Sequence, residues 1–545
     1  MVGIMPQFNL TVNNKRGIIA IMPDTTISLE TLPDRGDTHI FNASSLRLHL
    51  PQSPSLFYRH GWQSWSLTTW LDPGQPPIPV RAAEFRMKDE DPGYSLHKNH
   101  IGAWVGAVEL GQDDILLLGS LGLSGRVEVE GSSLHGFFED GHEGRWFVTR
   151  GPEDEVFSTY LSALEPIFGK GRFPKAPRVW CSWYSLLGWI NERVTLKILN
   201  DLGDLPFDVF QIDDGWQIAH GDWEANVKFP SGMEMLADRI ATTGRTPGLW
   251  LAPFMVSADS ELIRAHPHWL LRDGNGNPVR AGITWTGNPY ALDLAHPEVL
   301  DWLDRLIRKV RSWGYGYLKL DFLYLGGSVG KRYRDIPREV AYRNALRVIR
   351  NAAGEAYILA CGAPILPSLG LCDGIRVGPD VAPFWLNRPL SVWLNNPNDT
   401  STQNAIRSSV HRLWLRPLVN IDPDVVYFRS KNNAMERHES QLLRDLGLIS
   451  GFKATSDPPH WMTPSEKERL RDYLTAEPVV QKSGRYVYQV DGRVVDFHPA
   501  IPIEYTERNI PIWLARYSGM INIAWRQALP AIRESLKAGS PKQKR

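Results

Sequence analysis

Four short apolar runs in the middle of the chain end in or at aspartate. The carboxylates are Asp213 with Asp214, Asp321, Asp380 and Asp422. A single aspartate after a strand is often only a solvated loop residue. Several carboxylates that converge at one edge of a fold supply the groups that general acid, general base or nucleophilic chemistry needs. We therefore expect a carboxylate-rich site.

The run 317–322 carries a lysine two residues before an aspartate. Because side chains alternate along a strand, Tyr317, Lys319 and Asp321 share one face. If that face points into the fold, the ammonium group keeps the carboxylate ionised, which is the state that a nucleophile requires. The alternative interpretation is a buried ion pair with a structural role only.

Asp380 stands in a different setting. It follows a Gly-Pro pair and precedes the apolar residues Val381, Phe384 and Trp385. Apolar surroundings raise the pKa of a carboxyl group, which suits a general acid that must be protonated near neutral pH. Without such a role, Gly-Pro-Asp is simply a turn sequence.

Eight apolar runs, separated by helical patterns, are predicted as strands. They cover 180–184, 207–213, 247–253, 317–322, 357–361, 375–378, 418–422 and 452–456. The clearest helix is predicted over 297–313, with Pro297 in its first turn and Gly314 beyond its end. Eight strands alternating with helices favour a central (β/α)8 TIM barrel, which we place at residues 175–478. The aspartates then lie at the strand ends where barrels bind ligands.

The flanking regions are predicted to be all-β, so that the fold class is multidomain α/β with all-β flanks. Residues 1–165 show short alternating runs such as 125–130 and are predicted to form a β sandwich. The run 485–496 contains an Asp-Gly pair and is predicted to be a β hairpin. It opens a predicted antiparallel β domain over 479–545, which ends in a basic tail.

Composition restricts the class of partner. The 60 basic and 60 acidic residues balance, so no net field favours nucleic acid or an anionic membrane, and a neutral small molecule is the expected partner. The first 23 residues lack the apolar core of a signal peptide, and no apolar run reaches the roughly 18 residues of a membrane span. Three scattered cysteines make no disulfide framework. We expect a cytoplasmic protein.

Several motifs occur in a fixed order from about residue 60 to about residue 457. They are Trp62-Gln-Ser-Trp65, Trp180-Cys-Ser-Trp-Tyr184, Phe210-Gln-Ile-Asp-Asp214, Gly221-Asp-Trp223, Gly248-Leu-Trp-Leu-Ala-Pro-Phe254, Lys319-Leu-Asp-Phe322, Cys361-Gly362 and Arg376-Val-Gly-Pro-Asp-Val-Ala-Pro-Phe-Trp385. As a set they are highly specific. In these motifs the chain resembles the shorter α-galactosidases of glycoside hydrolase family 36.

The resemblance implies a fold and a set of roles. The implied fold is an N-terminal β-supersandwich, a (β/α)8 barrel and a C-terminal β domain. Asp321 is the implied nucleophile and Asp380 the implied acid/base of a retaining α-galactosidase that needs no metal or other cofactor. Asp213 and Asp214 are implied to hold sugar hydroxyls, including the axial O4 of galactose. The other implied sugar-binding residues are Trp65, Trp183, Tyr184, Trp250, Lys319, Cys361 and Arg376.

Other functions stay open at this point. Near the nucleophile, larger members of the family carry Trp-Asp-Met-Asn where this chain has Lys-Leu-Asp-Phe-Leu, so an α-glycosidase for glucose or N-acetylgalactosamine is an alternative. An α-galactosyl transferase uses the same intermediate, and a sugar-binding barrel would perform no reaction. A metal-dependent enolase-type barrel also places carboxylates on strands two, four and six, but Lys319 beside Asp321 disfavours it. His97 and His100 lack an acidic or thiol partner in the sequence for a metal site.

Overall fold

The computed structural model describes residues 26–78, 91, 98–282, 287–394, 396–503 and 512–537. Within this part of the chain, no helix combines the length and the apolar character that crossing a membrane requires.

The N-terminal region consists of two β sheets that share a core. Its strands are β1 (Thr26–Leu29), β2 (Thr38–Ala43), β3 (Ser45–His49), β4 (Phe57–Arg59), β5 (Thr69–Leu71), β6 (His100–Ala103), β7 (Val105–Gly111), β8 (Asp114–Ser120), β9 (Gly125–Glu130), β10 (Ser133–Phe138) and β11 (Gly144–Gly151). The sheet orders are β1-β3-β10-β9-β6 and β2-β11-β8-β7-β4-β5. In β9 the alternating Val127 and Val129 are buried against Leu116 and Leu118 of β8, so the period of two in the sequence marks the core face.

Helix α1 (Glu153–Phe168) leads from this region to an eight-stranded parallel sheet. The strands that pair in this sheet are β12 (Val179–Cys181), β13 (Val209–Ile212), β14 (Thr246–Leu251), β17 (Tyr317–Leu320), β18 (Tyr357–Ala360), β19 (Gly374–Arg376), β20 (Asn420–Asp422) and β21 (Ala454–Thr455), with the short pair β15 (Met255–Val256) and β16 (Tyr290–Ala291) outside it. All eight predicted strands are confirmed. Strand β21 pairs with β12, and a bridge from Val426 to Thr455 joins the segment after β20 to β21.

Helices lie between the parallel strands. They are α2 (Trp183–Leu186), α3 (Glu192–Asp201), α4 (Gly232–Ala241), α5 (Glu261–Ala265), α6 (Pro297–Ser312), α7 (Arg338–Ala353), α8 (Ile365–Ser368), α9 (Arg388–Leu394), α10 (Thr402–Val410), α11 (Arg437–Ser450) and α12 (Pro464–Thr475). The predicted helix at 297–313 is confirmed. Its Pro297 needs no hydrogen-bond partner in the first turn, and Val299, Leu303 and Ile307 form its buried face.

The C-terminal region differs from the prediction. Strands β22 (Val480–Gly484), β23 (Val487–Val490) and β24 (Arg493–Asp496) form the expected antiparallel sheet, with Asp491 and Gly492 at positive φ in the turn. The expectation of β structure onward to 545 is wrong, because α13 (Ile512–Ile523), a π turn and α14 (Leu529–Lys537) follow. Tertiary contacts stabilise α14, because Ala531 and Glu534 have the spacing of one helix face and both are buried. Residues 538–545 lie outside the described chain.

A buried carboxylate joins the N-terminal sheets to the region of the parallel sheet. Glu339 of α7 is 0% exposed and accepts hydrogen bonds from Trp62 Nε1 and Trp104 Nε1, each at 2.9 Å, and from Ser124 N at 2.7 Å. Arg126 lies 3.3 Å from it and neutralises its charge. Because these four partners all belong to the N-terminal region, Glu339 fixes how the two regions meet.

We predict that Glu339→Ala destabilises the protein by about 3–5 kcal/mol, since it leaves two indole donors without their buried acceptor and removes one of the carboxylates that pair with the buried Arg126. Chemical denaturation should show an earlier unfolding midpoint. The matched control is Glu355→Ala, whose side chain is 92% exposed and pairs with Arg172, and this change should stay within about 0.5 kcal/mol of wild type. Equal midpoints for the two variants would contradict the interdomain role of Glu339.

Candidate active site

One pocket collects side chains from the ends of several parallel strands and from the N-terminal region. It is lined by Trp65, Trp183, Asp213, Trp250, Lys319, Asp321, Phe322, Pro379, Asp380, Asn396, Asn398, Asp399 and Thr400. Seven of these residues belong to the predicted site. The other four predicted residues, Tyr184, Asp214, Cys361 and Arg376, do not line the pocket but lie next to residues that do.

Asp321 directly follows β17 and is held by two hydrogen bonds. Trp250 Nε1 donates to Oδ2 at 3.0 Å, and the backbone N–H of Phe322 donates to Oδ1 at 2.7 Å. Phe322 adopts a φ of 53°, which is rare for a residue with a side chain and turns the chain out of the strand here. Both donors stabilise the ionised carboxylate, and they fix its orientation towards the pocket.

Lys319 pairs with Asp213 rather than directly with Asp321. Its ammonium Nζ donates to Asp213 Oδ2 at 2.8 Å, and both side chains are buried. Burial alone would lower the pKa of Lys319, but the negative charge of Asp213, with smaller contributions that include Asp321, raises it well above its ordinary value. Asp213 Oδ2 also accepts from Gln211 Nε2 at 2.6 Å. Lys319 is therefore a fixed cation that pairs directly with Asp213 and interacts with Asp321 through its charge.

Asp380 is the more exposed of the two candidate catalytic carboxylates, with 29% of its side chain accessible. Tyr184 OH donates to Oδ1 at 3.1 Å, and Arg376 Nη1 lies 3.3 Å from the same oxygen. Loss of solvation raises the pKa of Asp380 above its ordinary value, Arg376 and Lys319 lower it, and the charge of Asp321 raises it. The net direction is upward, as the apolar sequence around Asp380 predicts.

Arg376 serves three carboxylates at once. Besides Asp380, it lies 2.9 Å from Asp422 Oδ2 and 2.9 Å from Asp424 Oδ2. Burial raises the pKa of Asp424 to about 7, although Arg376 lowers it, and the neighbouring charges of Asp380 and Asp422 raise it further. Sequence reasoning missed Asp424. Its signal was its position two residues after Asp422, at the end of a predicted strand.

Two predicted sugar-binding residues lie beside the pocket. Asp214 is buried and accepts from Gln217 Nε2 at 2.6 Å. Cys361 is buried after β18, and burial and then the charge of Asp321 raise the pKa of its thiol well above the ordinary value. Neither residue lines the pocket, but each lies beside one that does, Asp214 beside Asp213 and Cys361 beside Asp321.

Trp65 reaches the pocket from the N-terminal region. Its loop is tied to the strand ends by Ser64 N, which donates to Ala363 O at 3.1 Å, and by Arg412, which donates to the carbonyl oxygens of Gly61, Gln63 and Ser64 at 2.7–2.9 Å. Within the described residues, the buried Nε1 of Trp65 has no hydrogen-bond partner. Trp65 lines the pocket, and its indole N–H is a donor that a ligand hydroxyl would satisfy.

The cluster of side chains with the spacing of a metal site lies away from the pocket. In the described ranges, ligand atoms of His266, His268 and Glu298 come within 4.8 Å of one another, and none of these residues lines the pocket. Of the pair in the sequence that we considered for a metal, His97 lies outside the described residues, and His100 Nε2 lies 2.8 Å from a backbone carbonyl oxygen.

Comparisons with known proteins identify the family. A model of the family described as melibiase matches residues 163–351. TtGalA, an α-galactosidase from Thermus thermophilus solved in complex with p-nitrophenyl α-D-galactopyranoside, is 46% identical, with 86% of this chain and 96% of that chain covered and a TM-score of 0.81.

Two curated relatives match over shorter segments. Alpha-galactosidase AgaA from Geobacillus stearothermophilus is 31% identical over 35% of this chain. A type blood α-D-galactosamine galactosaminidase from Flavonifractor plautii is 32% identical over 27% of it. The matched segments span 27% and 14% of the lengths of these two relatives. Because the identity to the Thermus enzyme extends over nearly all of that chain, this protein belongs to the melibiase family of GH36 α-galactosidases.

Proposed function

We propose that the protein is a retaining α-galactosidase that hydrolyses terminal α-linked galactose from oligosaccharides. The observation that carries this proposal is the pair of carboxylates in one pocket, Asp321 and Asp380, whose environments differ in the way that two distinct roles require. The p-nitrophenyl galactoside and stachyose complexes of the Thermus relative support the choice of sugar.

The proposed roles follow from the hydrogen bonds of each carboxylate. Asp321 receives two donors that stabilise its anion, so it acts as the nucleophile at the anomeric carbon. Asp380 has a raised pKa and is partly exposed, so it holds a proton for the departing glycosidic oxygen. In the second step Asp380 takes a proton from water, which attacks the galactosyl–Asp321 ester from the face opposite to Asp321. Two inversions retain the α configuration.

The proposed sugar contacts involve groups already held in place. Trp65 and Trp183 line the pocket together with Asp213 and Lys319, and Trp65 Nε1 has no hydrogen-bond partner among the described residues. Because an ion pair with Lys319 holds Asp213 in place, the carboxylate oxygens of Asp213 are acceptors fixed in position for sugar hydroxyl groups. Asp214 contributes to sugar binding indirectly, because it accepts a hydrogen bond from Gln217 and so holds the turn after β13.

The fold that we propose is a closed (β/α)8 barrel between an N-terminal β-supersandwich and a C-terminal domain. The eight-strand order and the Val426–Thr455 bridge support closure. We place the N-terminal domain at 1–165, the barrel at 175–478 and the C-terminal domain at 479–545. The proposed partner is a neutral oligosaccharide, and a cytoplasmic location stays a prediction from the sequence.

A second candidate activity is hydrolysis of α-linked N-acetylgalactosamine or a related amino sugar, which the match to the Flavonifractor galactosaminidase favours. An α-galactosyl transferase differs only in which acceptor attacks the same ester. Product ratios from aryl α-hexosides, measured with and without sugar acceptors, distinguish these activities.

Nucleophilic rescue tests the role of Asp321. We predict that Asp321→Gly lowers turnover of an aryl α-galactoside by a factor on the order of 10⁴ or more. Azide then fits the space left by the carboxylate, and a single displacement yields the β-galactosyl azide. Product configuration is read by NMR.

Asp380→Gly is the matched control for that rescue. In this variant Asp321 still forms the ester, azide replaces the unactivated water, and the product is the α-galactosyl azide. An α product from Asp321→Gly, or activity close to wild type, would rule out Asp321 as the nucleophile.

The acid role of Asp380 predicts a dependence on the leaving group. Proton transfer of this kind contributes about 10²–10⁴ in rate, and it matters most where the leaving group is a poor one. Asp380→Ala should therefore form the galactosyl-enzyme quickly from a nitrophenyl galactoside, with a burst of phenol, and should hardly cleave melibiose. Stopped-flow absorbance and intact mass measure both. A uniform slowing without a burst would show that Asp380 is not the acid.

Asp424 should set the basic limb of the pH profile. Its carboxyl group lies 2.9 Å from Arg376 and competes with Asp380 for that cation, so Asp424→Asn should lower the pKa of Asp380 and move the basic limb of kcat/KM to lower pH. Asp208→Asn removes a surface partner of Arg178 and should leave the limb in place. A limb that stays fixed or moves to higher pH in Asp424→Asn would contradict this coupling.

A further inference from the structure

The connection from Asp380 to α10 returns to the pocket. Asn396, Asn398, Asp399 and Thr400 of this connection line the same pocket as Asp380. None of them belongs to a motif that the sequence singles out. They add a fourth carboxylate, Asp399, to the lining that already holds Asp213 and the two catalytic candidates.

The backbone around Asp399 is fixed by buried hydrogen bonds. Asn398 Nδ2 donates to Trp65 O at 2.8 Å, and its Oδ1 accepts from Ser408 Oγ at 3.0 Å. Asn404 Nδ2 donates to the carbonyl oxygen of Asp399 itself at 2.8 Å. These hydrogen bonds hold the backbone at Asp399 in place, so that little conformational entropy is lost there when a ligand binds.

Strand order tells which end of the substrate reaches this connection. Asp213 follows β13 and Asp380 follows β19, and four positions separate these strands in the order of eight. They therefore lie on opposite sides of the sheet opening, with Asp321, after β17, between them. The glycosidic oxygen must reach Asp380, so the leaving group extends over the β19 side, where Asp399 lies.

We propose that Asp399 is a specificity-determining residue that binds the sugar leaving group next to the galactose. Its carboxylate accepts hydrogen bonds from hydroxyls of a neutral hexose aglycone, and Thr400 supplies a neighbouring hydroxyl. A nitrophenyl leaving group has no hydroxyl to donate and gains nothing from this contact. The inference rests on the proposed α-galactosidase function and adds the chemistry of its leaving-group side.

The test compares two substrates in Asp399→Asn. For melibiose or raffinose, loss of a charge-assisted hydrogen bond should lower kcat/KM about 10- to 100-fold, mainly through KM. For the nitrophenyl galactoside, kcat/KM should stay within about twofold of wild type. The ratio of transfer to hydrolysis with added hexose should fall as well, because the acceptor enters through the same contact.

Two controls keep the outcome interpretable. Asp301→Asn removes an exposed aspartate of α6 and should change kcat/KM for neither substrate. Asp399→Asn itself should unfold at the wild-type temperature. An equal loss for both substrates, no loss for either, or a lowered unfolding temperature would overturn the assignment of Asp399. A wild-type enzyme that releases galactose from neither substrate would instead overturn the proposed function, and this inference with it.

Discussion

The chemistry of the pocket depends on the contacts that the guanidinium group of Arg376 makes with carboxylates. This group lies within 3.3 Å of carboxylate oxygens of Asp380, Asp422 and Asp424, in a region where an unpaired charge is costly. One cation cannot neutralise three anions, and in this buried setting Asp380 and Asp424 keep protons more tightly than free aspartate does. Burial is the main cause of the raised pKa of Asp380 and of the value of about 7 for Asp424, and Arg376 offsets only part of it for each.

This charge arrangement depends in turn on strand register. Arg376 and Asp422 are direct partners across β19 and β20, and Trp250 and Lys319 are partners across β14 and β17. Because side chains alternate along a strand, a shift of one residue would turn Arg376 away from the carboxylates. Packing of the apolar residues on the other face therefore also fixes the acid–base chemistry.

The sequence predicts the eight strands and the two carboxylates of the proposed mechanism, because parallel strands leave continuous apolar runs that end in polar residues. It does not predict that Lys319 donates to Asp213, since the period of two shows which face a residue occupies and not which neighbour it meets. Asp399 was missed for a related reason: its segment reaches the pocket only through contacts such as that of Asn398 with Trp65. Helix α14 likewise depends on contacts distant in sequence, as with Glu534 and Trp461 Nε1 at 3.0 Å.

The contacts that dock the N-terminal region also complete the pocket. The buried guanidinium of Arg412 donates to Gly61 O, Gln63 O and Ser64 O, and also to Val377 O, which immediately follows β19. Without the N-terminal loop, that charge would lose most of its acceptors in a dry environment, at a cost of several kcal/mol. The same loop carries Trp65 into the pocket. The cost of separating the two regions therefore also keeps Trp65 in the lining of the pocket.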